Sequence, residues 1–345
     1  MNSARDPAVW FPTVRTGTGT DVFTERLAGG LAKRGIRSGI TWLPLRAEYA
    51  PWTVPIPKPP AWANVAHVNT WLHPRFLPKH LPVVATIHHA VHHPDARKYK
   101  GIVRATYHRF WIAPNERRVL RRADRVVAVS RFVAETARNT LADVPMHVIY
   151  NGVDTEKFRP GNRQRKPGEP FRLLYVGSWK KLKGVDLLAP IMHELGDGFE
   201  LRYTGGPAAG RYKPSMPSNM YDIGRLPSED AVVAAMQEAD ALLFPSRSEG
   251  HPLVVIEAMA CGLPVIANRG SSLPEVLNDE ECGIMCNRDK PDAFAVAVEI
   301  LRTGRCQDDG AFRKSREIAA QYFNNRSMIE AYVEIYSQLA KRAIA

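Results

Sequence analysis

At 345 residues, 45% of them hydrophobic, the chain is long enough for two ordinary domains with sizeable cores, and no window approaches the ~20 apolar residues of a membrane span. Asp6 and Pro7 precede the first apolar segment, which does not read as a signal peptide, and Cys261, Cys282, Cys286 and Cys306 lack a matching histidine pattern, so free thiols in a cytoplasmic protein are expected rather than a disulfide frame or a metal site. A net charge of +12 keeps anionic partners in view.

Residues 8–12 (AVWFP) read as the first strand. A loop with Gly17 and Gly19 follows, and residues 21–34 place Val22, Leu27 and Leu31 on one helical face. A strand, a glycine-rich loop and a helix together can cradle a phosphate. Residues 39–43 read as a second strand, and six prolines between positions 44 and 60 mark an irregular connection. Residues 65–68 and 83–87 read as further parallel strands. The second ends in His88, His89, His92 and His93, four histidines within six positions at a strand end that faces a ligand crevice. From Arg97 to Arg131, eleven lysines or arginines stand against Glu116 and Asp124, with Tyr99, Tyr107, Phe110 and Trp111 interleaved. No RRM, KH or zinc-finger pattern accompanies this stripe, which favours an anionic membrane surface over nucleic acid. Residues 123–130 read as a buried strand, with Ser130 as N-cap of a helix from Arg131. Residues 148–151 read as the last strand of the first half, and residues 159–170 (RPGNRQRKPGEP) as a domain boundary.

The second half opens on a strand at residues 171–176, then a loop crowded with Lys180, Lys181 and Lys183, then a helix from about Val185. Lysines at a strand end suit a diphosphate leaving group, whose developing charge must be neutralised. Residues 201–205 read as another strand, and Ser228 opens a helix to Ala239. The stretch at 245–267 (PSRSEGHPLVVIEAMACGLPVIA) lies between apolar runs of strand length. It reads as strand, loop, helix and strand, with Pro252 where a first helical turn tolerates proline. Glu249 falls in the loop and Glu257 within the helix. Two carboxylates bracketing a helix N-terminus suit a ligand with a diphosphate in the middle and hydroxyls at both ends, the layout of a nucleotide sugar. A last helix over residues 328–344 has apolar Ile329, Val333, Ile335 and Leu339.

Ser246, Glu249, Gly250, Pro252, Leu253, Glu257, Ala258, Met259, Ala260, Gly262, Pro264, Val265 and Ile266 stand in register with a known signature. The stretch closely resembles that of the retaining GT-B glycosyltransferases of the glycosyl transferases group 1 family (family 4 type). Asn151-Gly152-Val153-Asp154, followed by Phe158 and Pro160, resembles the same family's entry to its linker. The resemblance implies an α/β protein of two Rossmann-like doubly wound domains facing a cleft. It implies an acceptor domain over residues 1–160, a nucleotide-sugar donor domain over 161–325, and a terminal helix over 326–345 packing back on the first domain.

The resemblance also implies roles. Glu249 would bind donor-sugar hydroxyls and Glu257 the ribose, with backbone amides from His251 to Leu253 facing sugar or phosphate. Gly19 matches the glycine that approaches the donor phosphates. Lys183 matches the lysine before a glycine, and Ser178 stands where the family often has arginine, so Lys180 or Lys181 is expected to supply the second charge. Arg225 lies in the segment passing the base. His88 matches the histidine of a His-Asp pair near the reacting sugar, with His89 in place of the aspartate. The expected reaction moves a sugar, with retention and without a metal, from a UDP- or GDP-linked donor to a lipid-linked or cell-envelope glycan at the cytoplasmic membrane face, as in polysaccharide or lipopolysaccharide biosynthesis. A nucleotide-sugar epimerase or hydrolase of the same fold, and a non-catalytic nucleotide-sugar-binding protein, are the rival readings; His89 and Ser178 keep the latter open.

Overall fold

The computed structural model describes residues 6–278, 282–286, 290–303 and 309–342, with the backbone alone at 211, 213, 214, 309–313 and 342. Two compact units divide the chain after Gly152 and after Asn325. The first division comes before residue 160, because Val153 already pairs with Asn324 and donates its N–H to the Phe323 carbonyl.

The first unit is built on a six-stranded parallel sheet: β1 (Val9–Val14), β2 (Ser38–Leu43), β3 (Val65–Asn69), β4 (Val83–Ile87), β5 (Arg125–Ala128) and β6 (Met146–Val148), in the order β2-β1-β3-β4-β5-β6. β1 and β4 are buried at every position, as strands covered on both faces must be. The chain runs outward from β1 to β2 and then starts again at β3. The strand order therefore reverses between β1 and β3, which marks the carboxyl ends of these strands as the ligand edge. One face is covered by the helix Gly19–Ala32 and by the terminal helix Asn325–Arg342. The terminal helix sets Met328, Ile329, Tyr332, Ile335, Tyr336 and Leu339 against Val9, Phe11, Phe23, Leu27 and Leu31. At about 1.5–3 kcal/mol for each buried side chain, this row contributes on the order of 10 kcal/mol. Gly30 is what lets the two helices meet, since a Cβ there would lie 2.1 Å from Cδ1 of Ile329.

Two stretches differ from the sequence expectation. The proline-rich connection holds a short helix, Arg46–Tyr49, and a 3-10 turn, Pro51–Thr53. Pro51 opens that turn, where its missing N–H costs nothing. The last strand of this unit is Met146–Val148, earlier than residues 148–151, because its register against β5 starts at Met146. The helix Arg131–Thr140 begins where expected, with Ser130 Oγ accepting from Val133 N–H at 3.1 Å.

The second unit repeats the plan with β7 (Phe171–Tyr175), β8 (Phe199–Tyr203), β9 (Met220–Asp222), β10 (Ala241–Phe244), β11 (Val265–Asn268) and β12 (Gly283–Cys286). These are parallel in the order β12-β11-β10-β7-β8-β9, so the reversal falls between β7 and β10. The loops leaving those two strands are the lysine-rich loop and the loop carrying Glu249.

Candidate active site

Three contacts lock the two loops at the β7–β10 reversal together. Arg247 N–H donates to the Leu182 carbonyl at 3.0 Å. The Arg247 guanidinium donates to the Lys181 carbonyl and, as a fork, to Asp186 Oδ1 and Oδ2 at 2.6 and 3.0 Å. Its side chain is only 2% exposed, so the charge is held by this fork rather than by water. Gly184 adopts φ +74°, and a Cβ there would lie 2.1 Å from the Pro245 carbonyl oxygen. Glycine is thus required both for the left-handed backbone and for the close approach.

The clamp delivers Lys183 to Glu249. Lys183 Nζ donates to Glu249 Oε1 at 2.6 Å, and Ser246 Oγ donates to the same oxygen at 2.5 Å. Glu249 N–H donates at 3.0 Å to Oγ of Ser271, a serine held at φ +52°. Glu249 is buried and Lys183 half-buried, so a charged pair sits preorganised in a partly desolvated pocket. Burial, with the Glu249 carboxylate adding to it, holds the Tyr175 phenol well above its usual range. Tyr175 O–H donates to the Ser178 carbonyl at 3.2 Å.

The helix Leu253–Ala260 starts directly after this loop, with Pro252 at its N-cap and Leu253 as its first residue. Its free amino end lies between Glu249 and the buried Glu257, four residues into the helix. Ser178 and Lys180 are exposed beside the Lys181–Lys183 turn. Ser178 presents its main chain: its carbonyl accepts from Tyr175 and from Lys180 N–H. Arg225 is exposed just after β9. Asp222, which the sequence reading did not single out, joins that segment to the loop after β8, accepting from Gly205, Gly206 and Gly224 N–H at 3.1, 3.2 and 2.9 Å. Its signal was an aspartate just ahead of a turn glycine.

His251 is expected to act through its backbone, and the loop around Gly19 through its amides. The His251 ring is turned inward, edge-on to Phe323 with centroids 5.0 Å apart, and burial lowers its pKa to about 3. In the first unit Gly19 is the first residue of its helix, but the loop before it is already filled. Thr16 and Gly17 donate their N–H groups to the Asp21 carboxylate at 2.9 and 2.7 Å. The Asp21 carboxylate thus takes two of the loop's amides, those of Thr16 and Gly17.

His88, just beyond β4, is buried with its ring 4.6 Å from that of Phe23. Burial first, then His89 and His67, hold its pKa well below the usual value, so the imidazole is neutral. Its neighbour His67 is wired to the terminal helix. Nδ1 lies 2.5 Å from Tyr336 Oη, Nε2 lies 2.8 Å from Thr86 Oγ1, and Thr86 Oγ1 lies 3.1 Å from Tyr332 Oη. A carboxylate partner does appear in this loop, but on another histidine. His92 Nε2 lies 2.7 Å from Oε2 of Glu116, whose Oε1 accepts from Thr70 Oγ1 at 2.8 Å.

The basic stripe splits in two. Arg117 donates to the Thr140 and Leu141 carbonyls and Arg122 to the Pro78 carbonyl, so both brace the fold. Arg97, Lys98, Arg104 and Arg109 are exposed, and among them Ile102, Val103 and Phe110 are 86%, 85% and 69% exposed. Among the described residues no helix is long and apolar enough to cross a membrane. Cys261, Cys282 and Cys286 are buried and form no disulfide among the described residues, and Cys306 lies outside those residues.

Residues 170–303 match the family described as Glycosyl transferases group 1, and residues 61–157 match Glycosyltransferase Family 4. The chain is 29% identical over 231 residues to an uncharacterized 41.2 kDa protein in the cps region of Klebsiella pneumoniae, a match covering 64% of this chain and 63% of that protein. It is 28% identical over 358 residues to the D-inositol 3-phosphate glycosyltransferase of Acidothermus cellulolyticus, covering 85% and 75%. The fold is similar to sucrose-phosphate synthase from Thermosynechococcus elongatus, with a TM-score of 0.78, 18% identity and coverage of 97% and 99%. It is also similar to Anabaena HepE in complex with UDP-glucose, with a TM-score of 0.69, 14% identity and coverage of 96% and 100%.

Proposed function

We propose, for a chain that belongs to the group 1 and family 4 glycosyltransferases and has their GT-B fold, that it transfers a sugar, with retention, from a UDP- or GDP-linked donor to a lipid-linked or cell-envelope glycan. The observation that carries this reading is the Lys183–Glu249 pair directly before a helix start at a strand-order reversal, with buried Glu257 about one turn into that helix. Lys183 and the helix N-terminus would meet the diphosphate and its developing charge, which asks for no metal ion. Glu249 would take donor-sugar hydroxyls once Lys183 turns to phosphate, and Glu257 the ribose hydroxyls. The nucleotide-sugar class is supported by the UDP-glucose complex of the structurally similar HepE.

The acceptor reading rests on the first unit. Exposed Ile102, Val103 and Phe110 with Arg97, Lys98, Arg104 and Arg109 make a patch that suits an anionic lipid surface: apolar tips insert while guanidinium groups stay at the headgroups. We infer that the protein works at the cytoplasmic membrane face.

A thermal-shift panel of UDP, GDP, ADP and CMP on the wild type and Glu257→Ala tests the donor reading. A ligand that binds only the folded state raises Tm with concentration over Kd. One diphosphate should raise the wild-type Tm and raise that of the variant much less. No response to any of the four at millimolar concentration would overturn the donor site.

A further inference from the structure

His92 in the loop after β4 and Glu116 in the helix Ala113–Arg122 form a carboxylate–imidazole pair. Glu116 is 1% exposed, and both its oxygens are committed, to Thr70 and to His92. Burying a carboxylate is costly unless it is fully hydrogen-bonded, and here the bonds come from the residues that follow β3 and β4. The pair therefore stands at the carboxyl edge of neighbouring strands, next to the β1–β3 reversal. Nothing among the described residues bonds Nδ1 of His92. An imidazole that gives Nε2–H to Glu116 and carries no second proton offers Nδ1 as an acceptor.

The surroundings suit a polyol. The Trp71 ring lies edge-on to the rings of His89 and His108, with centroids 5.9 and 5.6 Å away. The His108 ring lies 6.3 Å from that of His92. His108 is 4% exposed, and among the described residues its Nδ1 has no hydrogen-bond partner, in a protein environment where such groups are normally satisfied. Lys100 is tied to the Val91 carbonyl within the same loop.

We propose that Trp71, His92 and His108 form the acceptor subsite of the first unit, taking a sugar or cyclitol ring, with Glu116 as the positioning residue that fixes His92 so that Nδ1 receives the hydrogen bond of an acceptor hydroxyl. The inference rests on the glycosyltransferase reading and deepens it. It places the carboxylate–imidazole pair on His92 and Glu116, where His88 has His89 beside it.

The test follows the histidine ring nitrogens by 15N NMR of the intact chain, with methyl α-glucoside, methyl α-mannoside and myo-inositol as probes, and UDP and GDP as donor-side controls. The wild type should show His92 as the Nε2–H tautomer, and at least one polyol should move its ring signals in the presence of nucleotide. His92→Gln should weaken that polyol at least tenfold while the nucleotide thermal shift is unchanged. Glu116→Gln keeps the side-chain shape and should release the tautomer preference. A nucleotide response with no polyol effect on His92, or equal polyol affinity in His92→Gln, overturns the subsite and leaves the donor reading standing. A wild-type His92 ring in the Nδ1–H form overturns the positioning role of Glu116. No response to either nucleotide removes the donor reading and this inference with it.

Discussion

Lys183 Nζ lies 2.6 Å from Oε1 of Glu249, so the residue that would meet the diphosphate and the residue that would meet the sugar are paired with each other before any ligand arrives. A nucleotide sugar must separate them, and its two halves are recognised by what that separation frees. Lys183→Ala should weaken UDP or GDP by about tenfold to a hundredfold, the loss of a charge-assisted hydrogen bond. Glu249→Gln should bind the bare diphosphate no more weakly than the wild type while slowing sugar transfer on the order of a hundredfold or more. Calorimetric titration with the diphosphate and initial rates with the sugar nucleotide separate the two effects. Weaker diphosphate binding in Glu249→Gln would show that the pair does not compete with the ligand.

The Arg247 clamp is structural in origin and should have a functional consequence. Asp186→Asn removes the charge from the fork that holds a guanidinium whose side chain is 2% exposed, and with Asp186 itself 35% exposed the loss is on the order of 1–3 kcal/mol. Urea unfolding should show this loss, with diphosphate affinity reduced in parallel because Lys183 sits on the clamped turn.

Gly184→Ala attacks the same turn through its backbone. The left-handed conformation costs a non-glycine residue about 1–2 kcal/mol, and the overlap with the Pro245 carbonyl adds to it. A melting scan should show the destabilisation, and the loop should lose nucleotide binding even at temperatures where the protein stays folded.

Stability should fall with acid through the buried histidines. His67 is 3% exposed among Phe11, Phe23, Tyr332 and Tyr336, and burial lowers its pKa to about 3. Its folded pKa lies below its unfolded value near 6.5, so its contribution is complete above about pH 6.5 and is lost as pH falls toward 3. At pH 5 the unfolded chain binds a proton there that the folded chain does not, a loss on the order of 2 kcal/mol. His251 has the same shift in the second unit. Urea titrations at pH 7 and pH 5 should show the decline, and His67→Gln should reduce it by the share of His67, leaving the part carried by His88 and His108.

The exposed apolar tips predict membrane behaviour. Replacing Ile102, Val103 and Phe110 together by serine should cut partitioning to vesicles of mixed neutral and anionic lipid on the order of a hundredfold, from the lost apolar burial. Sedimentation with neutral vesicles should show weaker binding for the wild type too. Replacing Arg117 should instead lower stability, because its guanidinium holds the Thr140 and Leu141 carbonyls. Equal vesicle binding by the triple variant would dismiss the patch.

Much of the second unit was legible in the sequence, because its information is local. The strand, loop and helix around Glu249 and Glu257 follow from apolar run length, a proline at the helix start and a seven-residue interval, all within one supersecondary unit. Ser130 announced its helix by capping chemistry alone. The inward turn of His251 was not legible, since the ring it meets, Phe323, is far along the chain. Nor was the use of the glycine loop's amides by Asp21: the acid was visible, but whether its carboxylate points back into the loop is a matter of rotamer and packing.

The sequence by itself determined two α/β units, the order of their elements and the residue types that make a nucleotide-sugar site, because hydrophobic period, turn chemistry and a dense motif act over short spans. The tertiary structure alone decided which charges meet. Arg247 reaching Asp186, Lys183 reaching Glu249 and Glu116 choosing His92 join residues 61, 66 and 24 positions apart. Such pairs are fixed by strand order and helix packing, which bring chain-distant side chains to one edge of a sheet, and no local pattern encodes that distance.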